Sequence, residues 1–464
     1  MTSKFDVTSF PMAPIQPPRD LTESEVAKSF SQSVEEIARY VFGRGWYVYN
    51  GVKWEQSTVA IGLLLQRYID SLQSSYLQQG MVDRSSQFIK FKNKRPQDNV
   101  LSLATRYCKE HLDNFDADPF ELNTPGGVVN LQTGSITAHK PDALCAKITR
   151  CSPSDNGREL WTAFLRKLSG GDSGFEEFLQ YVVGMGAIGK VFVEALIIAY
   201  GPGNNGKSTF FNSISSVLGD YSWTINSDVL LQTRYRTIEP ALAELSGKRF
   251  VMCGELEPGQ KLSTAALKRL TSTDKISAEA KYKQPNEIIP SHTIILCTNH
   301  LPNVRSSDEG TWRRLKLLPF NSVMPVGTEN VPNYASVLVE RAGGAILQWI
   351  IDGAVKFTKN GYHLPDYDVA DFQNQEYRRG EDWLTDFIAS QCVCGPDERV
   401  LASELYASYR DYANALGEKP ASKTEFSSAM MLAEFRQIRP QNRKTWVGLR
   451  IKTNYKELKI YEHQ

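Results

Sequence analysis

The sequence has few cysteines and no long apolar segment. Its seven cysteines are scattered along 464 residues, and none forms a C-x-x-C pair that could supply half of a zinc site. We therefore expect reduced thiols, as in a cytosolic protein. No stretch reaches the roughly 20 apolar residues that a membrane helix needs. The N-terminal segment MTSKFDVTSFPMAPIQPPRD also lacks the apolar centre of a signal peptide. These absences argue against export and against insertion into a membrane.

The chain also lacks an excess of charge of either sign. Its 53 Lys and Arg residues stand against 52 Asp and Glu residues, for a formal net charge of +1. A polyanionic partner must then be bound by local basic patches, because the whole molecule produces no strong field. The hydrophobic content of 41% is typical of a globular protein, and the length suits roughly two to four domains.

Composition and periodicity divide the chain into five regions, of which three precede the centre. Residues 1–30 are polar and proline-rich, which predicts a flexible tail. Residues 31–157 mix strand and helix patterns and predict an α+β accessory domain with a hairpin around Asn50-Gly51. Residues 158–190 have helical spacing and predict a small helical lead-in, or collar.

The other two regions are a central α/β block and a C-terminal block. Residues 191–375 alternate short β-rich runs with helical runs, which is the pattern of a three-layer α/β unit. Residues 376–464 carry two helical patterns and then TWVGLRIKTNYKELKIY, which alternates like a β-hairpin. Helices followed by a hairpin predict a winged helix.

A glycine-rich segment, GPGNNGKST, lies between the apolar run ALIIAY and the helical pattern STFFNSISSVLG. It fits G-x-x-x-x-G-K-[ST], a loop whose backbone N–H groups and following helix N-terminus attract phosphates. Lys207 would reach the β- and γ-phosphates of ATP, and Ser208 would ligate Mg²⁺. The expected nucleotide-binding residues are Gly201, Pro202, Gly203, Asn204, Asn205, Gly206, Lys207, Ser208 and Thr209.

Two acidic residues follow the next apolar run. In RFVMCGELE, Glu255 and Glu257 come directly after a predicted strand, and an extended chain would turn both carboxylates to the same side. A nucleotide-hydrolysing loop needs such an acid nearby to hold the metal ion and to orient the attacking water. We expect Glu255 to hold Mg²⁺ and one of the two glutamates to act as the base.

Two further motifs complete the candidate site. HTIILCTNHLPNV predicts a buried strand that ends in Asn299, whose amide can hydrogen-bond the γ-phosphate or the lytic water. DEGTWRRLKLLPF places Arg313 and Arg314 at the start of another strand, where a guanidinium can stabilise charge on a transferring phosphoryl group. Arginines that point away from their own loop would serve a neighbouring subunit, which requires a ring.

Basic residues indicate DNA contacts in two places. KISAEAKYKQPNEIIPSHTIIL predicts a hairpin with Lys281, Tyr282 and Lys283 near its tip, suited to neutralising phosphates and stacking on a base. From residue 435 onward, eight basic residues stand against two acidic ones, which suits duplex or fork DNA. The candidates for that second contact are Lys423, Arg443 and Lys444.

The ordered motifs GPGNNGKST, GELE, LKRLTSTDKISAEAKYK, TIILCTNHLPNV and TWRRLKLLPF resemble a superfamily 3 helicase. The resemblance is to the phage/plasmid and poxvirus-type primase-helicases. WYVYNGVKWEQ and DPFELNTPGGVVNLQTGSI resemble the accessory domain that precedes the motor in that family. LASELYASYRDYANALGEKPASKTEFSSAM resembles its C-terminal winged helix.

The resemblance implies an α/β P-loop NTPase core of AAA+-like type. It also implies a homo-hexameric ring that hydrolyses ATP with Mg²⁺ and moves 3′ to 5′ on single-stranded DNA. Many members have adjacent Walker B acids, whereas Leu256 intervenes here. By position, the Walker A residues are Lys207 and Ser208, the Walker B acids Glu255 and Glu257, the sensor Asn299, and the arginine finger Arg313 or Arg314.

The function predicted from the sequence is that of a replicative DNA helicase of a phage, plasmid or other mobile element. It would act in the cytosol of a bacterial host or in a virus-infected cell. Only about 40 residues precede the accessory region, too few for a primase domain, so any priming would come from a separate primase or polymerase. Two alternatives stay open: a P-loop nucleotide or polynucleotide kinase, and a nucleotide-switched origin-binding protein without turnover.

Overall fold

The computed structural model describes most of the chain in seven stretches. They are residues 12–231, 244–278, 286–304, 308–322, 333–380, 383–416 and 420–452. Across these stretches, no helix combines the length and apolar character that crossing a bilayer would require.

The N-terminal region is mixed α and β, as predicted. Its helices are α1 Glu23–Ser33, α2 Thr58–Gln78, α3 Val82–Gln87 and α4 Lys94–Ala104. Its strands are β1 Ala38–Val41, β2 Gly45–Tyr49, β3 Trp54–Gln56, β4 Lys109–Glu110, β5 Glu121–Thr124, β6 Gly127–Asn130 and β7 Ile136–Thr137. The first four strands form a sheet of order β3-β2-β1-β4, and the last three form a second sheet. The predicted β2–β3 hairpin is confirmed, and the Asn50 side chain closes its turn by accepting from the N–H groups of Val52 and Lys53.

The flexible tail predicted over residues 1–30 is wrong for the part that the structure describes. Helix α1 begins after Thr22, whose hydroxyl accepts from the Glu25 N–H, and it buries Val26 and Phe30 completely. Upstream of it, Ile15 packs partly buried against the same core. The prolines in this segment prevent a helix, but the apolar residues between them still gain from burial.

The central region contains five helices and seven strands within the described stretches. The two helices of the predicted lead-in are confirmed, as α5 Arg158–Ser169 and α6 Ser173–Ala187. The others are α7 Lys207–Leu218, α8 Thr264–Leu270 and the short α9 Glu309–Trp312. The strands are β8 Leu196–Tyr200, β9 Ser222–Ile225, β10 Phe250–Cys253, β11 Ile276–Ala278, β12 Asn286–Ile288, β13 Thr293–Thr298 and β14 Leu315–Pro319.

Five of these strands form one parallel sheet of order β14-β8-β13-β10-β9. Their side chains alternate between two buried faces, as the apolar runs require. Ile197 and Phe250 face a core shared with α5, α6 and α7, while Ile198 and Val251 face a core shared with α8. The predicted three-layer α/β arrangement is therefore confirmed.

Because all five strands run in the same direction, the sheet has two chemically distinct edges. We call the edge where the strands end, at Gly201, Gly254 and Asn299, the carboxyl edge. The opposite edge, where the strands begin after His292 and Arg314, is the amino edge.

The C-terminal region follows the long helix α10 Tyr334–Lys359. Its helices are α11 Asp368–Gly380, α12 Trp383–Gln391, α13 Ala402–Ala415 and α14 Lys423–Leu432. Its strands are β15 Cys392–Leu401, β16 Arg436–Ile438 and β17 Thr445–Ile451, in an antiparallel sheet of order β15-β17-β16. The hairpin predicted for TWVGLRIKTNYKELKIY is corrected in one respect: β17 pairs with β15 and β16, which both precede it, and residues 453–464 lie outside the described stretches.

The predicted domain boundary at 375/376 falls inside α11. This helix packs on the edge strand β14, where the Asn374 side chain accepts from the Leu317 N–H at 3.0 Å. The Tyr377 ring meets Trp312 edge-on at 5.4 Å between centroids. These contacts hold α11 to the central sheet, and no local sequence signal marks them.

A glycine fixes the start of the loop between β8 and α7. A Cβ on Gly201 would lie 2.3 Å from the Phe320 carbonyl oxygen and 2.5 Å from Asn205 Nδ2. Gly203, two residues further along the same loop, has no neighbouring atom within 4 Å of such a Cβ. The loop thus has one crowded glycine and one open glycine.

This contrast predicts different effects for two alanine substitutions. Gly201→Ala should destabilise the protein by about 1–3 kcal/mol, because backbone atoms must move to admit the methyl group. Gly203→Ala is the matched control and should change stability by no more than about 0.5 kcal/mol. Thermal unfolding of both variants checks this, and equal losses would contradict the packing described.

A second prediction concerns the buried His292 at the amino edge. Its Nε2 lies 3.0 Å from the Leu270 carbonyl oxygen, and burial lowers its pKa from 6.5 to about 4. At a pH between these two pKa values, the imidazole of His292 binds a proton in the unfolded chain but not in the folded chain. Stability should therefore fall as the pH drops, by about 2 kcal/mol between pH 7.5 and pH 5 for this group. Urea unfolding should show this loss in the wild type, and His292→Gln should lack that share; identical pH dependence in both would refute it.

Candidate functional site

The glycine-rich loop joins β8 to α7 at the carboxyl edge, in the strand–loop–helix context that the sequence predicts. Gly206 has a φ of +78°, in the left-handed region that favours glycine, and α7 begins at the next residue. The exposed Ser208 is therefore in the first turn of α7. The loop and the helix N-terminus both bring backbone N–H groups to this edge, where they favour an anion.

Lys207 is the centre of the polar contacts at this edge. Lys207 is buried, with only 5% of its surface exposed. Its Nζ donates to the carbonyl oxygens of Gly201 (2.6 Å) and Pro202 (3.1 Å). It also donates to the side-chain oxygens of Asn205 (2.9 Å) and Asn299 (3.0 Å). Burial lowers the pKa of Lys207, and the nearby Cys297 and Glu255 oppose that shift. The four oxygen acceptors thus take the place of water around the Lys207 ammonium group.

Asn205 anchors the loop to the sheet, a role that the sequence did not reveal. The side chain is buried, and its Nδ2 donates to the Phe320 carbonyl oxygen at 3.0 Å, just beyond β14. Its Oδ1 accepts from Lys207 Nζ. The same amide therefore fixes both the loop and the lysine, and a pattern read along the chain cannot show a partner 115 residues away.

Asn299 connects the lysine to an acid. Its Oδ1 accepts from Lys207 Nζ, and its Nδ2 donates to Glu255 Oε1 at 2.5 Å. Three neighbouring strands, β8, β13 and β10, deliver these residues to one place. The continuous chain Lys207–Asn299–Glu255 brings a cation, an amide and a carboxylate into direct contact.

The two predicted acids have different positions. Glu255 and Glu257 are both exposed and Leu256 between them is buried, as alternation predicts. Only Glu255 lines the cavity at the carboxyl edge, however. The Glu257 N–H instead donates to the Gln260 side chain at 3.0 Å, within the turn that follows.

The cavity beside these residues has a volume of about 460 Å³. Residues 203–209, Glu255 and Asn299 line it, so the structure brings most of the predicted site together. Sequence reasoning missed Asn212, Thr224 and Tyr334, which also line it. Asn212 lies four residues after Ser208 on α7, so helical spacing could have found it. Thr224 and Tyr334 come from β9 and α10, and no local pattern points to them.

Two thiols complete the wall but have no nucleophilic character. Cys253 and Cys297 line the cavity, and burial raises the pKa of each to about 12. Both are neutral thiols at pH 7, and the thiolate is the reactive form of cysteine. The cavity therefore does not support cysteine nucleophile chemistry.

The residues present fit a magnesium–nucleotide pair. The loop N–H groups and Lys207 could hold phosphates, while the Ser208 hydroxyl and the Glu255 carboxylate could hold Mg²⁺. The described residues contain no group of three or more His, Cys, Asp or Glu that could bind a metal by itself. A magnesium ion typically takes one or two protein ligands and completes its shell with phosphate oxygens and water.

Arg313 and Arg314 do not line the cavity at the carboxyl edge. They directly precede β14 at the amino edge, and the Arg314 carbonyl oxygen accepts from the Leu196 N–H at the start of β8. A five-residue strand spans roughly 13 Å, which separates this edge from the glycine-rich loop. Glu194 binds both arginines; the Arg314 side chain is 11% exposed and that of Arg313 is 64% exposed.

The DNA-binding candidates fall in two places. The two arms of the predicted hairpin pair as antiparallel β11 and β12. In the chain they lie between Thr273, which contacts Glu194 at the amino edge, and the start of β13. Its tip, Lys281, Tyr282 and Lys283, lies outside the described residues. In the C-terminal region Lys423, Arg443 and Lys444 are exposed, the first at the start of α14 and the other two just before β17.

Two family models match the chain. Residues 27–170 match the model described as D5 N terminal like. Residues 199–314, which carry the glycine-rich loop and both arginines, match a family of unknown function, DUF5906. A solved structure, the apo NrS-1 C terminal region (305-718), aligns over 93% of this chain and 100% of its own, at 10% identity and a TM-score of 0.48.

Several proteins of large DNA viruses are similar in sequence. The "Putative helicase L207/L206" of Acanthamoeba polyphaga mimivirus is 29% identical over 68% of this chain. The "Putative primase C962R" of African swine fever virus (strain Badajoz 1971 Vero-adapted) is 23% identical over 75%. The matches span only 35% and 39% of those viral proteins. The predicted resemblance is confirmed: the chain has a D5 N-terminal-like region and is a relative of proteins named as helicases and primases in large DNA viruses.

Proposed function

We propose that this protein is an ATP-hydrolysing DNA translocase, a 3′ to 5′ helicase that works as a homo-hexameric ring in DNA replication. One observation carries the proposal. The chain Lys207–Asn299–Glu255 lies at the carboxyl edge of the sheet, while Arg313 and Arg314 lie at the amino edge. A pocket that needs all of these groups can be completed only between two copies of the chain.

Each side chain in the pocket has a role that its contacts support. Lys207 exchanges the Gly201 and Pro202 carbonyl oxygens for the β- and γ-phosphates of ATP. Glu255, the acid on the cavity wall, orients and deprotonates the attacking water. Asn299 touches both Lys207 and Glu255, so it can relate the position of the phosphate to the position of the base. Ser208 and Glu255 would hold a magnesium ion, which when bound would neutralise charge on the phosphates.

The arginines supply the remaining positive charge from a neighbouring copy. Contact between the carboxyl edge of one copy and the amino edge of the next is heterologous, and such contacts close into a ring when the rotation between neighbouring copies is a whole fraction of a turn, as in the proposed hexamer. Arg313 suits this role better than Arg314, because its side chain is 64% exposed and the Arg314 side chain is mostly buried. A guanidinium delivered in this way increases the rate of phosphoryl transfer by stabilising the transition state.

DNA contacts are proposed for two elements. The β11–β12 hairpin would carry Lys281, Tyr282 and Lys283 to single-stranded DNA. The C-terminal region, with α13, α14 and an antiparallel sheet, would act as a winged helix on duplex or fork DNA through Lys423, Arg443 and Lys444. The names of the viral relatives support a replicative role, and a separate primase or polymerase remains the proposed partner.

Hydrolysis assays can separate the two glutamates. Glu255→Gln should reduce ATP turnover by at least about 100-fold, because an amide cannot accept the proton of the attacking water and is a weaker magnesium ligand than a carboxylate. Glu257→Gln is the matched control and should retain turnover within about threefold, since the Glu257 side chain does not line the cavity. Equal losses, or a larger loss at Glu257, would show that the base is wrongly assigned.

The shared pocket predicts complementation between inactive variants. Lys207→Ala and Arg313→Ala should each lose DNA-stimulated ATP hydrolysis, because one lacks the phosphate contact and the other the neighbour's guanidinium. Mixing the two should restore part of the rate, since some interfaces then combine an intact lysine with an intact arginine. Stimulation by a phosphate acceptor in place of single-stranded DNA would favour a kinase. Binding of ATP without any turnover would favour a nucleotide-switched protein.

A further inference from the structure

Glu194 lies at a junction of three elements on the amino edge. It lies two residues before the start of β8, and its side chain is 29% exposed. Its Oε2 accepts from Arg314 Nη2 at 2.5 Å and lies 3.6 Å from Arg313 Nη2. Its Oε1 accepts from the Thr273 hydroxyl at 3.4 Å. One carboxylate therefore contacts both arginines with one oxygen and a threonine with the other.

The two arginines differ in what holds them. Arg314 donates through Nη1 to the Gly310 carbonyl oxygen at 2.9 Å as well as to Glu194, so its buried guanidinium is fixed from two sides. A buried charge that loses its partner is costly, so Arg314 should stay in place. The contact between Arg313 and Glu194 is longer and exposed to water, and such ion pairs contribute little. Arg313 can therefore leave Glu194 for a stronger anion.

Thr273 lies in the short connection between the end of α8 and the start of β11, which is the first arm of the hairpin. We call this connection the root of the hairpin. A second contact ties α8 directly to the arginine segment: Lys268 of α8 binds Asp308 at 2.7 Å, and Asp308 immediately precedes α9, which leads to the arginines. The root of the hairpin and the arginine segment are thus linked twice at the amino edge, once through Glu194 and once through the Lys268–Asp308 pair.

We propose that Glu194 is a positioning residue that couples Arg313 to the root of the β11–β12 hairpin. It holds Arg313 at the amino edge, ready for the phosphates bound by a neighbouring copy. When Arg313 turns to those phosphates, the Glu194 carboxylate keeps only Arg314 and Thr273 as partners. Each remaining donor then faces more of the negative charge of the carboxylate. The Thr273 contact strengthens, so the hairpin root responds to the neighbour's nucleotide. This inference rests on the proposed function.

Two substitutions test the coupling separately. Thr273→Val removes one hydroxyl at nearly constant shape and changes no charge, and Glu194→Gln removes the carboxylate charge. The matched control is Glu309→Gln, which removes a nearby carboxylate that binds Arg378 on α11 and does not contact Thr273. The measurements are ATP hydrolysis with and without oligo(dT), binding of fluorescein-labelled oligo(dT), and mixing with Lys207→Ala.

Thr273→Val should retain DNA-independent hydrolysis within about twofold but lose at least about fivefold in stimulation by oligo(dT), as expected for a coupling contact. Glu194→Gln should lose at least about tenfold in stimulated hydrolysis. Mixing it with Lys207→Ala should restore part of that rate, because the Lys207→Ala copies keep an intact Glu194–Arg313 pair. Glu309→Gln should match the wild type in every measurement.

The outcomes separate the inference from the function on which it rests. Absence of ATP hydrolysis or of oligo(dT) stimulation in the wild type would refute the proposed function and the coupling together. Normal stimulation of Thr273→Val, in a wild type that is stimulated, would refute the coupling alone. The coupling alone would also be refuted if mixing with Lys207→Ala restores hydrolysis by Arg313→Ala but does not restore hydrolysis by Glu194→Gln.

Discussion

The common direction of the five central strands is the constraint on which the rest of the structure depends. In a parallel sheet, the residues that follow the strands lie at one edge, and the residues that precede the strands lie at the opposite edge. The glycine-rich loop, Glu255 and Asn299 follow strands; Glu194, His292 and the arginine pair precede them. In the proposed mechanism, a guanidinium that is carried at the amino edge and acts at the carboxyl edge therefore comes from another copy of the chain.

Hydrogen bonding to oxygen determines the local geometry of the cavity. The Lys207 ammonium has four oxygen acceptors within 3.1 Å, two from the backbone of its own loop and two from asparagine side chains. Buried polar groups are costly unless they are paired, so removing any one partner should disturb the others. Asn205 extends this set to the end of β14 and Asn299 extends it to Glu255. The loop is thereby held by both of the strands that flank β8.

Local patterns gave most of the site, because its main residues directly follow apolar strands. The β8–loop–α7 unit, Glu255 and Asn299 were all found in this way. What the sequence could not show depends on contacts between distant residues: the Asn205 anchor, the cavity residue Tyr334, and the junction at Glu194. Contacts between distant residues also explain where the fold was wrongly predicted from the sequence. Burial of α1 against the accessory core, and packing of α11 on β14, are set by partners that lie far away in the chain.

The most direct test of a pocket completed between copies is the rate of ATP hydrolysis per subunit as a function of protein concentration. The oligomeric state should be followed in the same samples by mass photometry, with saturating ATP and oligo(dT). A shared pocket predicts that the rate per subunit falls steeply as the assemblies dissociate into single copies. A rate that stays constant down to the monomer would contradict the account.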